Sequence, residues 1–256
     1  MRNRIALIVL SVFMLLLTAP IFSASENGSV NYFAPMMEDE YYASLLEYVF
    51  NGGALEGVPD LYFALENHLV LADYDEWMKA ASLGRAALIC GRYAQQCGDE
   101  GTAIDYMEMA DGHIAAAKEL GAPESATGVL EALSLSFWYL IDGSLSKGMK
   151  FPGMVDKLYK AHPEDFHVLL LEADRYLHSP GIVGGNKKKG LALFQEAEMI
   201  MDRDGAAIWD RFSIYSGLAY GYDKAKDKEK AADYALKAYS IYTADETVNE
   251  LVEKYS

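Results

Sequence analysis

The sequence predicts an all-α chain, built as an α-solenoid of antiparallel helix pairs with irregular repeats. Three observations predict it. After Met36 the residues Ala, Leu, Met, Glu and Lys dominate, and strand-like alternation is absent. Glycine and proline punctuate the chain at intervals suited to helices of roughly 12 to 20 residues. A pattern of small residues recurs at matching positions in more than one segment.

The elements follow in order. Residues 1–25 read as a secretory signal. Arg2 and Arg4 supply a positive start, Ile5 to Leu17 an apolar run, and Ser23, Ala24 and Ser25 small residues for cleavage. The run is too short for a comfortable membrane span, and no second stretch approaches it, so no stable membrane insertion is expected after cleavage. A retained N-terminal anchor is the alternative. The chain is therefore expected to be exported, to a periplasm or the exterior. Residues 26–36 read as a flexible segment, and 37–256 as a single helical-repeat domain.

Within that domain, breaks are expected at Gly52-Gly53, Gly57-Val58-Pro59, Gly98-Asp99, Gly121-Ala122-Pro123, Phe151-Pro152-Gly153, His162-Pro163 and residues 179–190, "SPGIVGGNKKKG". Residues 84–115 fit a helix–turn–helix unit. Gly91 lets the partner helix approach, Gly98 makes the turn, and Ala103, Met107 and Ala110 form the second stripe. Residues 166–202 repeat the pattern through Ala173, Tyr176, Gly190, Phe194 and Ala197. The last copy uses Tyr215, Leu218, Ala219 and Tyr222, then Ala231, Ala235 and Ala238. Thr243 to Glu246 read as a capping box before the final helix. Residues 37–73 and 123–161 are helical but follow the pattern poorly.

These small-residue positions resemble tetratricopeptide (TPR) repeats, whose period is about 34 residues. The signature tryptophan is replaced by Ala87 in the first clear copy and by Tyr215 in the last. An exported, acidic, irregular chain of this kind is also similar to the T-component of TRAP-type transporters. That resemblance implies a periplasmic accessory protein for uptake of small organic acids or other hydrophobic ligands. Members are typically lipoproteins, and the signal region here holds no cysteine.

The charge narrows the partners. The formal net charge is −16. Removing the signal leaves 20 bases against 38 acids, or −18. Such a field repels nucleic acid and anionic membrane surfaces. The two cysteines, Cys90 and Cys97, lie seven residues apart on one expected helix. Their Cα atoms would stand about 10.5 Å apart, beyond the roughly 7 Å a disulfide allows. Two free thiols are expected, with Cys90 buried; a helix that ends before Cys97 and folds back is the alternative.

No catalytic constellation is present. Residues 181–190 fail the phosphate-loop spacing G-x-x-x-x-G-K-[ST], since Asn186 stands where the second glycine belongs and no Ser or Thr follows the lysines. Nor does a dinucleotide fingerprint fit. His68, His113, His162, His167 and His178 show no zinc spacing. The reading is therefore non-enzymatic, with no cofactor and no metal.

Binding candidates come from placing each pair's first helix toward a concave groove. That aims Arg85, Arg92, Gln95 and Gln96 inward, with His167, Asp174 and His178, and then Ser213, Ser216 and Tyr220. Two arginines in a groove of an acidic protein suit a carboxylate ligand or an acidic peptide end; salt bridging to nearby acids is the other reading. Lys187, Lys188 and Lys189 open a helix after the cap Asn186, where cations oppose the macrodipole. They are either a solvated face or an anion site. The partner is a protein or a small, carboxylate-bearing ligand, and homo-oligomers are compatible. The alternative function is a cell-envelope protein–protein scaffold with no small-molecule ligand.

Overall fold

A computed structural model describes residues 30–256, apart from residues 38, 144, 182, 183 and 244. The expected signal over 1–25 lies outside the described residues. Among those described, the chain is all-helical, with eleven α-helices and no strand. In chain order they are α1 (Glu40–Phe50), α2 (Val58–Leu71), α3 (Glu76–Gln96), α4 (Glu100–Glu119), α5 (Glu124–Asp142), α6 (Leu145–Ala161), α7 (Phe166–His178), α8 (Lys187–Asp204), α9 (Ile208–Ala225), α10 (Lys228–Tyr239) and α11 (Glu246–Tyr255).

Local chemistry sets the boundaries. Asp39, Asp99, Asp165, Asn186, Asp227 and Asp245 each cap a helix, accepting a backbone N–H with the side-chain oxygen. Each such cap contributes about 1 kcal/mol. Asn186 does so as expected, receiving the Lys189 N–H at 3.1 Å. Two expectations fail. The last helix is capped by Asp245, not Thr243: the Asp245 carboxylate receives the Val248 N–H at 2.9 Å. And Pro152 does not break the chain, because α6 runs through it. Proline removes one intrahelical hydrogen bond there, and the buried Val155 and Leu158 beyond it hold the helix against α5 and α7.

From α1 to α10, each helix packs most extensively on its partner in five successive pairs, and α11 follows on α10. Tight approach needs small residues. A Cβ on Gly190 would stand 2.9 Å from the Ala173 carbonyl oxygen and 2.8 Å from the Leu177 nitrogen. On Gly91 it would stand 3.2 Å from the Ala103 oxygen. The first members of the pairs, α1, α3, α5, α7 and α9, also touch one another in series, and α1 meets α9. The inner layer therefore closes into a ring.

Aromatic rings make that closure. Phe50 on α1 packs edge-on against Trp209 at 5.0 Å, Phe212 at 5.8 Å and Tyr242 at 5.2 Å. One buried cluster runs from Phe33 to Val248 and joins the first and last helices. A second surrounds Phe166, Phe194 and Ile214.

Residues 30–36 depart from the flexible segment expected of 26–36. Val30 donates to the Glu164 carbonyl and accepts from the Phe166 N–H, both at 2.9 Å. Phe33 and Met36 are buried in the main cluster. Burying two large apolar side chains offsets the entropy of ordering so short a strap.

Both cysteines are free. Cys90 is sealed inside α3, where burial pushes its thiol pKa up, and Cys97 is exposed just past the helix end. Under native conditions a thiol reagent is expected to modify one site, Cys97, and to reach Cys90 only on unfolding. Peptide mapping of the labelled protein checks this; rapid modification of Cys90 would mean that α3 opens readily.

Candidate functional site

The centre of the ring carries charge. Arg85 of α3 donates from Nη2 to Asp210 Oδ1 of α9 at 2.5 Å. His167 of α7 stands 3.2 Å from the other carboxylate oxygen of Asp210. The Phe33 ring covers both, 5.1 Å from the Arg85 guanidinium carbon and 5.3 Å from the His167 ring. Arg85, His167 and Asp210 are each at least 94% shielded from solvent. Burial alone would raise the Asp210 pKa, but the Arg85 charge and the His167 contact outweigh it and hold the carboxyl at about 2. Burial raises the Tyr42 phenol to about 12, next to the same two charges. The Tyr42 hydroxyl is sealed against the Arg85 guanidinium, whose charge and hydrogen bond partly offset the effect of burial, and Ser82 Oγ, one turn before Arg85 on α3, is buried without a hydrogen-bond partner among the described residues.

This is not the open groove expected from the sequence. Arg85 and His167 do face inward, but α1 and the 30–36 strap fill the space in front of them. The remaining inward candidates lie elsewhere. Arg92 is half-buried near the end of α3 and bonds to Gln95. Gln96 accepts from the Tyr242 hydroxyl at 3.0 Å. Burial lowers the Arg92 pKa, with partial compensation from Asp245 and Glu246. These residues form a rim, separate from the central cluster. Ser213 and Ser216 bond to each other along α9, Ser216 Oγ donating to the Ser213 carbonyl at 3.2 Å.

Residues 179–190 form a second polar patch at the edge. The loop folds back on α7: Gly185 donates to the Pro180 carbonyl at 3.1 Å and Asn186 to Tyr176 at 2.8 Å. Of the three loop glycines, only Gly184 takes a positive φ, at 91°. Gly185 is required for space, since a Cβ there would overlap the Ser179 carbonyl oxygen at 1.9 Å. Beyond the loop, cations lie on tyrosine rings. Lys187 stands 5.4 Å and Lys224 4.5 Å from the Tyr220 ring centre, and His178 stacks on that ring at 4.7 Å. Lys189 lies 4.3 Å from the Tyr176 ring centre and donates to the Tyr176 hydroxyl at 2.6 Å. Asp174 pairs with His178 at 3.4 Å, both exposed. Lys187, Lys188 and Lys189 form no ion pair among the described residues.

A shallow cleft of about 160 Å³ also lies among α4, α5 and α6, lined by Lys118, Glu124, Glu131 and Lys157. Lys118 and Glu131 pair across it, so its charge is internally balanced.

Sequence reasoning placed Arg85 and His167 on the inner face but missed Asp210, Tyr42, Ser82 and Phe33. Asp210 leads the inner stripe Asp210, Ile214, Gly217 at helical spacing, an acid where apolar residues follow. That was the available signal. Phe33 lies before any periodic helix and gave none. Among the described residues, no helix is long and apolar enough to cross a membrane. No protein-family model matches the chain, and neither a curated protein nor a solved structure is significantly similar to it.

Proposed function

We propose that the chain is a non-catalytic, TPR-like α-solenoid that acts outside the cytoplasm and binds a small carboxylate-bearing ligand, as a T-component-like accessory protein of a TRAP-type transporter would. The observation that supports this reading is the closed inner ring around a sealed arginine. An open scaffold would present a long concave surface to a partner chain; here that surface is covered by α1 and the strap. A closed interior suits a small ligand better than a peptide, and Arg85, paired there with Asp210 at 2.5 Å, is the cation nearest to it.

Native mass spectrometry of the protein purified without denaturation tests it. A co-purifying molecule of a few hundred daltons, on the order of a drug-sized ligand, is the expected result. Protein that is empty under all growth conditions, yet retains a particular envelope protein, overturns it in favour of the scaffold.

One observation favours the scaffold reading: the exposed Lys187–Lys189 patch with Tyr176 and Tyr220. Lys187 and Lys189, on tyrosine faces and without a carboxylate partner among the described residues, suit an acidic protein surface. Replacing all three lysines by Gln is expected to leave stability within about 1 kcal/mol, since easing the clash with the helix dipole offsets the lost ring contacts. Under the ligand reading, ligand retention is unchanged. Loss of a captured partner in this variant would support the scaffold.

A further inference from the structure

Unpaired charge is segregated by sign along this chain. From residue 30 to residue 78 there are ten aspartates and glutamates and no lysine or arginine. Asp60, Glu66, Asp73 and Asp75 belong to that stretch and form no ion pair among the described residues. They flank an apolar stripe on the solvent face of α2. Phe63 and Val70 lie two turns apart on one side of the helix, 62% and 70% exposed, and Leu71 beside them is 89% exposed. Among the described residues, these are three of the five most exposed large apolar side chains. Asp60 stands one turn before Phe63, Glu66 between Phe63 and Val70, and Asp73 just past Leu71. An apolar centre with a charged rim is the anatomy of a contact surface.

The opposite sign collects at the loop edge. Lys187 and Lys224 both lie on the Tyr220 ring, which joins the start of α8 to the end of α9. Lys226 and Lys228 follow in the turn into α10. With Lys187, Lys188 and Lys189 they are exposed and form no ion pair among the described residues. Asp223 beside them is already held by Lys224, Lys254 and the Tyr255 hydroxyl, and Asp227 caps α10. Acids outnumber bases 38 to 22 in this chain, yet these five lysines are left without one.

We propose that the acidic, apolar face of α2 on one copy docks on the lysine edge of a second copy. Charge complementarity assigns the occupant, because each face supplies what the other lacks and both are carried by this chain. In the contact, Phe63 and Leu71 pack on the lysine stems and the Tyr220 ring, and the ammonium groups reach Asp60, Glu66 and Asp73. Unlike surfaces meet, as in a heterologous contact, so the assembly repeats head to tail until it closes on itself. The net charge of −16 opposes assembly at long range. At about 0.15 M salt the Debye length is roughly 8 Å, so pairs in contact outlast that general repulsion. The contact lies on the outer surface and holds whether or not the interior carries a ligand.

Sedimentation velocity of the purified protein over a range of concentrations tests it. Association is expected in about 0.15 M salt and should weaken roughly tenfold in about 1 M salt, where the ion pairs are screened. Two variants separate the faces. Phe63→Ser with Leu71→Ser blunts the first, and Lys187→Glu with Lys188→Glu reverses the second while suiting the α8 dipole. All four sites are exposed, so both variants keep the fold. Each variant alone is expected to be monomeric. An equimolar mixture of the two should dimerise, because one intact face of each kind remains. A parent that stays monomeric, even one whose α2 face takes a different protein, overturns the proposal. So does a variant that associates as the parent does, or a mixture that stays monomeric. Carbodiimide cross-linking of light and heavy-isotope-labelled parent, mixed in equal parts, maps the contact. Links between the two labels are expected from Lys187, Lys188, Lys226 or Lys228 to Asp60, Glu66, Asp73 or Asp75; links confined to other residues overturn it.

Discussion

Asp210→Ala is expected to destabilise the protein by about 3–5 kcal/mol, because it leaves the Arg85 guanidinium buried without a counter-charge. Arg85 and Asp210 are 5% and 2% exposed, so solvent cannot take over. Urea unfolding of the variant against the parent measures the loss. The double change Arg85→Met with Asp210→Leu should recover most of it, since the penalty belongs to the stranded charge and not to the missing bond. A loss below about 1 kcal/mol for Asp210→Ala would mean that water reaches the guanidinium.

The same pair sets an acid response. The folded-state pKa of Asp210, about 2, lies below the ordinary carboxylate value of 3.8. A depressed acid contributes stability above its unfolded-state pKa and loses it as pH falls toward the folded value. Stability should therefore decline between about pH 4 and pH 2, by roughly 2–3 kcal/mol from this group. Asp210→Ala lacks that component, so the gap between variant and parent narrows across the same window. A gap that stays constant from pH 5 to 2 would contradict the assignment.

Phe194→Ala is expected to cost about 3–5 kcal/mol, the usual range for removing a buried ring. Phe194 is 2% exposed on α8 and seats on Gly217 of α9. A Cβ on Gly217 would fall 2.4 Å from the ring, so Gly217→Ala should also destabilise, by about 1–3 kcal/mol through overpacking. The two are complementary in shape. Phe194→Leu in the Gly217→Ala chain should lose less than the sum of the single changes, a coupling that a double-mutant cycle in urea reads directly. Strict additivity would show that α8 and α9 shift apart instead.

The helix pairs were legible in the sequence because their causes are local. Gly91, Gly190 and the alanines of each packing stripe act within one or two turns, and Asn186 caps the helix it immediately precedes. The same locality explains two errors. Asp245 and Thr243 are both good caps, and the choice between them depends on where α11 meets α10, which tertiary packing decides. Pro152 is a helix breaker by propensity, but α6 is held on both sides by neighbours. The centre was half legible. Periodicity put Arg85 and His167 on inner faces. It could not show that α1 returns to α9, because the residues that join them, Phe50, Trp209 and Tyr242, are far apart in the chain and each looks like ordinary core. Nor does any local signal bring Phe33 over Arg85.

The ring closure has a consequence for how the chain reaches its native state. In an open array each unit contacts its immediate neighbours, so stability is close to a sum of local terms, and end units can be removed one at a time. Here Arg85 meets Asp210 across 125 residues, and Tyr242 meets Gln96 across 146. Those contacts form only after most of the chain has been gathered, so their loop-closure entropy falls on a late step and slows folding. The first pair cannot bury Phe50 until α9 and the 240–242 turn have arrived. The first and last described helix pairs are thus thermodynamically coupled: deleting the last pair would expose Phe50 on the first.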